Sequence, residues 1–171
     1  VDFLGKLTDK QFSSISSFHG GYSIGSDQLW TPGTCIRLQE DASTVLSPSI
    51  YREFILPFDR QICSRYEYSM FHIHSGYLNL LDDILKIDEL HVIQITKDIM
   101  GPSIRDLLPV LAKIQFKGKR LLIRGRFHRD ELEFISSNLS TCGLYLNIVV
   151  DTVEEANDLY KLVNSLKWKR D

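Results

Sequence analysis

HVIQITKDIMGPSIRDLLPVLAKIQFKGKRLLIR, residues 91–124, is the most regular stretch of the 171-residue chain. His91-Val92-Ile93-Gln94-Ile95-Thr96 is rich in β-branched residues and reads as a strand. Gly101-Pro102 opens a helix lined on one face by Ile104, Leu107, Leu108 and Leu111, and Gly118 ends it. Arg120-Leu121-Leu122-Ile123-Arg124 is a second strand. A strand–helix–strand unit of this kind predicts two parallel neighbours, because a crossover helix is what joins parallel strands.

The same rhythm extends in both directions. Upstream, Cys35–Gln39 and Tyr68–His74 read as strands. Between them, Ser47-Pro48 places a capping hydroxyl and a proline at a helix start. Ile50, Phe54, Phe58 and Ile62 recur every four residues, which predicts a core-facing stripe kinked by Pro57. Leu78, Leu81 and Leu85 mark the next helix. Downstream, Leu132, Ile135 and Leu139 mark another, followed by a strand over Leu144–Val150. Thr152-x-x-Glu155 caps a last helix with an expected core stripe of Val153, Ala156, Tyr160 and Val163. At the N-terminus, Thr8-x-x-Gln11 predicts a short helix over 9–18, and the glycines and Pro32 predict a loop over 19–34. The expected class is α/β, with about five parallel βα units. The expected division is 1–34, a helix and loop, and 35–171, the βα-repeat domain.

Composition narrows the function. The chain is 43% hydrophobic and 25% charged, which suits a folded globular protein. A formal charge of -2 offers no basic footprint overall, so neither nucleic acid nor an anionic membrane is an expected partner. Val1–Lys6 shows no signal-peptide pattern. It also carries no initiator Met, so a processed product or a piece of a longer protein is expected. Cys35, Cys63 and Cys142 are odd in number and widely spaced, which argues against a disulfide framework and for a reducing, cytoplasmic setting.

In parallel βα sheets, ligands bind at the carboxyl ends of the strands. That edge would carry Gln39, Glu40 and Asp41, then His72 and His74 with Ser75-Gly76, then Gln94, Thr96 and Asp98, then Arg124, Arg126 and His128, and finally Asn147 and Asp151. His72-x-His74 puts two imidazoles on one face of a strand, since side chains alternate with period two. The pair can serve as metal ligands with a third from Glu40, Asp41, Asp98, His128 or Asp151, or it can be a hydrogen-bonded core pair. Arg124-x-Arg126, with His128, suits an anionic small-molecule substrate. Equally, Arg124 can pair with Asp98 or Glu40. There is no Gly-x-Gly-x-x-Gly, no P-loop and no Gly-x-Ser-x-Gly elbow.

Leu46-Ser47-Pro48-Ser49-Ile50-Tyr51-Arg52-Glu53-Phe54-Ile55-Leu56-Pro57 resembles the S-P-x-x-[YF]-x-x-F-x-x-P segment of the uroporphyrinogen decarboxylase superfamily, which includes cobalamin-dependent methyltransferases. Asp41 falls at that family's acidic position. Phe71-His72-Ile73-His74-Ser75-Gly76 resembles its strand ending in H-x-C-G, and Gly143–Leu146 resembles its closing strand. The resemblance spans roughly residues 35–165. It implies a partial TIM-type (β/α) barrel, similar to the C-terminal part of a full one, since eight units need about 200 or more residues. It also implies either decarboxylation of a carboxylated tetrapyrrole or corrinoid-dependent methyl transfer, with zinc and a corrinoid as cofactors in the second branch. That branch uses thiolates where this chain has His74 and, beyond Leu146, no Cys.

The residues therefore predict an enzyme with Asp41, His72, Arg124 and His128 as catalytic groups. Glu40, Gln94 and Arg126 would bind substrate, and His72 and His74 would hold metal. The alternative is a non-catalytic binding or assembly module on the same scaffold. Exposed sheet edges predict association, either as a homodimer or with a missing N-terminal half of the barrel.

Overall fold

The computed structural model describes residues 2–14, 21–24, 27, 29–39, 41 and 45–169. Five strands form one sheet: β3 (Cys35–Gln39), β4 (Tyr68–His74), β5 (Val92–Thr96), β6 (Arg120–Gly125) and β7 (Leu144–Ile148). Their spatial order is β3-β4-β5-β6-β7, the order of the chain. The pairs β3/β4 and β6/β7 are parallel, in registers running from Cys35↔Tyr68 to Gln39↔His72 and from Leu121↔Leu144 to Gly125↔Ile148. A doubly wound sheet reverses its strand order at a switch point. This sheet does not reverse, which is consistent with a singly wound, partial βα barrel.

The described residues form two compact units, Val1–His72 with Tyr77–Val92, and Ile73–Gly76 with Ile93–Asp171. The first unit holds α1 (Asp2–Ser14), an antiparallel pair β1 (Tyr22–Ile24) and β2 (Leu29–Thr31), then β3. It continues with α2 (Pro48–Ile50), a π-helical turn (Tyr51–Ile55), α3 (Leu56–Arg65) and α4 (Leu81–Ile84). Its interior is built on Leu38, Tyr51, Leu56, Cys63, Met70, Phe71, Ile84 and Ile87. The second unit holds α5 (Ile104–Phe116), α6 (Arg129–Asn138) and α7 (Val153–Ser165) with their strands. Ile93, Ile95, Leu107, Leu111, Ile114, Leu121, Ile123, Leu132 and Ile135 fill its interior.

Helix starts follow the sequence closely. The Ser47 hydroxyl accepts from Ile50 N at 3.3 Å, ahead of Pro48. Ser103 and Asp106 form a reciprocal capping box at α5, and Thr152 accepts from Glu155 N at 3.1 Å at α7. Such caps satisfy donors that the helix itself leaves open. Gly118 ends α5 with φ +71°, a conformation side chains with a Cβ resist.

Four expectations are corrected. The N-terminal helix runs Asp2–Ser14, so Thr8 lies inside it and not at its cap. Asp2 in the first turn suits the positive end of the helix dipole. Residues 15–18 lie outside the described set. The loop expected over 19–34 contains the β1–β2 pair. Gly21 lies so close to that pair that a Cβ there would meet the Thr31 carbonyl oxygen at 2.0 Å.

The stripe Ile50–Phe54–Phe58 is exposed, at 45%, 56% and 52%. Pro57 has no N–H to continue the helical ladder. The backbone preceding it widens into the π-turn, where Leu56 N donates to Tyr51 O. The turn shifts the register, so Tyr51, Leu56, Asp59 and Cys63 face inward instead. The Tyr51 hydroxyl then donates to the buried Asp59 carboxylate at 2.6 Å. In α7, Val153, Ala156 and Tyr160 are also exposed, and Leu162 is the buried residue. Its strand, β7, is an edge, so α7 has sheet to pack on from one side only.

Candidate metal centre at the strand ends

β3 and β4 lie side by side with Gln39 opposite His72. Asp41 follows β3 by two residues and brings its Oδ1 to 3.9 Å from His72 Nε2. Its other oxygen accepts from Gln39 Nε2, and Gln39 Oε1 in turn accepts from Arg37 Nη1. Arg37 is held through its Nε by the buried Asp27 at 2.9 Å. A line of side chains along β3 thus aims the exposed Asp41 at the buried His72. The strand-end rule reaches Gln39 but not its role in holding Asp41, and it does not reach Arg37. Part of the signal is local, since residues 37 and 39 share one face of β3 at period two.

His74 is half-buried at the end of β4. Its Nδ1 lies 2.6 Å from Asp98 Oδ1. Asp98 is fixed in turn: its Oδ2 accepts from Ser75 Oγ and from Gly76 N, each at 3.2 Å, and its own N–H donates to Ser75 Oγ at 3.0 Å. Burial works against the charged form of Asp98. The hydrogen bonds from His74 and Gly76 N–H and the nearby imidazole outweigh it and hold this carboxyl below the usual range. A carboxylate on one ring nitrogen fixes the imidazole's tautomer and turns the other nitrogen toward a ligand. Nε2 is therefore the atom His74 offers to a metal.

Asp41, His72 and His74 each offer one ligand atom, and these atoms all lie within 4.8 Å of one another. Tetrahedral zinc with bonds of about 2.0–2.2 Å needs ligand atoms roughly 3.3–3.6 Å apart. The 3.9 Å between His72 and Asp41 is a few tenths of an ångström from that spacing. Two imidazoles and a carboxylate form a donor set suited to zinc and related divalent metals. The residues fit a metal, and among the described candidates for a third ligand, Asp41, Asp98, His128 and Asp151, Asp41 is the one in the cluster.

Comparison with family models, with curated proteins and with solved structures finds no match.

The remaining predicted residues fall into separate environments. Gln94 is fully buried and donates to Thr96 Oγ1 at 3.1 Å. Arg124 is half-buried, opposite Asn147 in the β6/β7 register, and its buried Nε has no hydrogen-bond partner. Asp98, one of the two partners considered for Arg124, is engaged by His74. The other, Glu40, lies outside the described residues. Arg126 is exposed and ion-paired with Asp151, whose carboxyl it holds below the usual range. His128 is exposed at the N-cap of α6, where its N–H donates to Glu131 Oε2 at 2.9 Å. Arg126 and His128 line an open pocket of about 410 Å³ together with Lys97, Asp98 and Gly125. Asp98 belongs both to this pocket and to the support of His74. No helix is long and apolar enough to cross a membrane among the described residues.

Proposed function

We propose that this chain is a uroporphyrinogen decarboxylase-like domain, the C-terminal part of a βα-barrel enzyme, that holds one zinc-type ion on Asp41, His72 and His74. The observation that carries this reading is the convergence of these three ligand groups, with Asp98 orienting His74 from behind. The substrate is a carboxylated small molecule. Arg126 and His128, which line the open pocket beside Asp98, are the groups that hold its anionic end.

Of the two branches implied by the resemblance, the triad favours metal-using methyl transfer with a corrinoid carrier over the decarboxylation of a tetrapyrrole. His74 stands where that branch has a thiolate, no Cys follows Leu146, and the third ligand in this chain is the Asp41 carboxylate. Thiolates donate more charge, so this donor set leaves the ion a harder Lewis acid. When bound, the ion supplies positive charge to stabilise a developing anion and lowers the pKa of a coordinated group. The protein's own part is to fix Asp41 through Gln39 and Arg37, and His74 through Asp98. β3 and β7 are the sheet's open edges. In this reading, further βα units complete the barrel, from an N-terminal half or a second copy.

The test is metal content and zinc titration of the purified chain beside its variants. The expected result is one equivalent of zinc in the wild type, lost in Asp41→Asn and His74→Ala with the circular dichroism spectrum unchanged. Asp41 is exposed and His74 half-buried, so neither change opens the core. Absence of stoichiometric metal, or equal binding by both variants, overturns the reading and leaves a non-catalytic binding or assembly module.

A further inference from the structure

Helix α7 is secured toward one end only. Near its C-terminus Leu162 is buried, Trp168 Nε1 donates to Val163 O at 3.0 Å, and Lys169 N donates to Ser136 O at 2.9 Å. The bridge Ser140↔Lys169 straps the chain beyond the helix to the segment ahead of β7. The first turns differ. From Val153 to Tyr160 no residue is buried, although Val153, Ala156, Leu159 and Tyr160 are among them. Val153 is 71% exposed and Tyr160 72%. At 3.6 residues per turn, Val153, Ala156 and Tyr160 lie together on the side of the helix away from Leu162.

Helices in proteins draw most of their stability from burying an apolar stripe, and this one is uncovered. The stripe carries its own complement. Val153 and Tyr160 are seven residues apart, and so are Glu154 and Lys161. Both pairs are centred within one residue of Asn157. Seven residues make about two turns, so Glu154 and Lys161 share one flank of the helix. In an antiparallel pair related by a two-fold axis, like flanks meet and residues equidistant from the axis face each other. An axis beside Asn157 sets the Tyr160 ring of one copy over Val153 and Ala156 of the other, where the small Ala156 leaves room for it. The same axis sets Glu154 against Lys161 across the pair, twice. A parallel arrangement would set Glu154 against Glu154 and Lys161 against Lys161, so charge selects the antiparallel one. Lys161 Nζ lies 3.5 Å from Asp158 Oδ1 in its own helix, an exposed pair that gives way at little cost.

We propose that the outer face of α7 is a self-association surface, on which two copies of this chain pair through antiparallel α7 helices about a two-fold axis at Asn157. A stripe of this size is smaller than the roughly 800 Å² per partner of a standard interface, so the dimer is weak and concentration-dependent. The surface lies within the second unit and uses neither open sheet edge. It does not depend on the proposed metal centre.

Sedimentation velocity on the full chain, over concentrations from about 1 to 300 µM, tests this, because association follows mass action. The expected result is a reversible monomer–dimer equilibrium in the wild type. Each of Glu154→Lys and Lys161→Glu turns two attractive pairs into two repulsive ones and is expected to raise the dimer dissociation constant about tenfold. The double reversal Glu154→Lys with Lys161→Glu regenerates both pairs and is expected to return it to within about threefold of wild type. Tyr160→Glu is expected to weaken the dimer by about tenfold or more. Glu154, Tyr160 and Lys161 are exposed, so circular dichroism should be unchanged, and the charge reversals serve if Tyr160→Glu disturbs the helix. A wild type that stays monomeric throughout overturns the proposal. So does a dimer indifferent to the single reversals, or one that the double reversal does not restore. Zinc binding is expected to be the same in all these variants, so loss of the dimer and loss of the metal site are read separately.

Discussion

Phe54 and Phe71 are the same residue type in the same compact unit, and their substitution by alanine should separate sharply. Phe71 is fully buried on β4. Truncating a buried Phe loses its transfer free energy and leaves a cavity, about 3–5 kcal/mol together. Phe54 is 56% exposed on the π-helical turn. Less than half of its surface is removed from water, and full burial of such a side chain is worth about 1.5–3 kcal/mol. An open surface position leaves no cavity, so Phe54→Ala should lose about 1 kcal/mol or less. For a chain of this length each kcal/mol moves the melting temperature by roughly 2–4 °C. Phe71→Ala is then expected to melt about 6–20 °C lower, and Phe54→Ala at most about 4 °C lower. Urea titration gives the same comparison, with an unchanged slope showing that the unfolded state is not altered. Equal losses for the two variants would refute the register shift at Pro57 and restore the Ile50–Phe54–Phe58 stripe to the core.

The other predictions concern single contacts. Asp98→Asn removes the charged partner of His74 Nδ1, and zinc affinity should fall about 10- to 100-fold by competition titration with a chromophoric chelator. Zinc affinity should also fall as pH drops through the imidazole range, because both histidines must be deprotonated at their ligating nitrogen; a flat profile between about pH 5 and 8 would exclude them. Asp83 is buried, and although burial opposes its charge, hydrogen bonds from Lys86 at 2.8 Å and Arg52 at 2.9 Å hold its carboxyl below the usual range. Its folded pKa is depressed, so its contribution is complete above the ordinary carboxylate pKa of about 4 and is lost as pH falls through the folded value. The melting-temperature gap between wild type and Asp83→Asn should accordingly be full near neutrality and close in acid. Ser103→Ala opens the capping box of α5 and should lower stability by about 1 kcal/mol in a urea titration.

The five sheet strands, their caps and their order of appearance follow from local information. A β-branched run such as Val92–Thr96 needs no partner to be recognised, and Ser103 with Asp106 caps its own helix. The strand-end rule also puts His72, His74 and Asp41 on one edge from sequence alone. The two imidazoles share a face through strand pleating alone. Tertiary structure decided what periodicity cannot see. Which face of the helix after Ser47 is buried depends on a π-turn that accommodates Pro57, and on a buried Tyr51–Asp59 hydrogen bond between residues eight apart. Which carboxylate joins the histidines depends on the β3/β4 register, and which one orients His74 depends on the loop after β5. The C-terminal end of α7 is fixed by a backbone strap that brings Lys169 to Ser140, 29 positions away in sequence. Local propensity and pattern act over one turn or one strand. Pairings between distant segments are set by packing and register, and no short window of sequence encodes them.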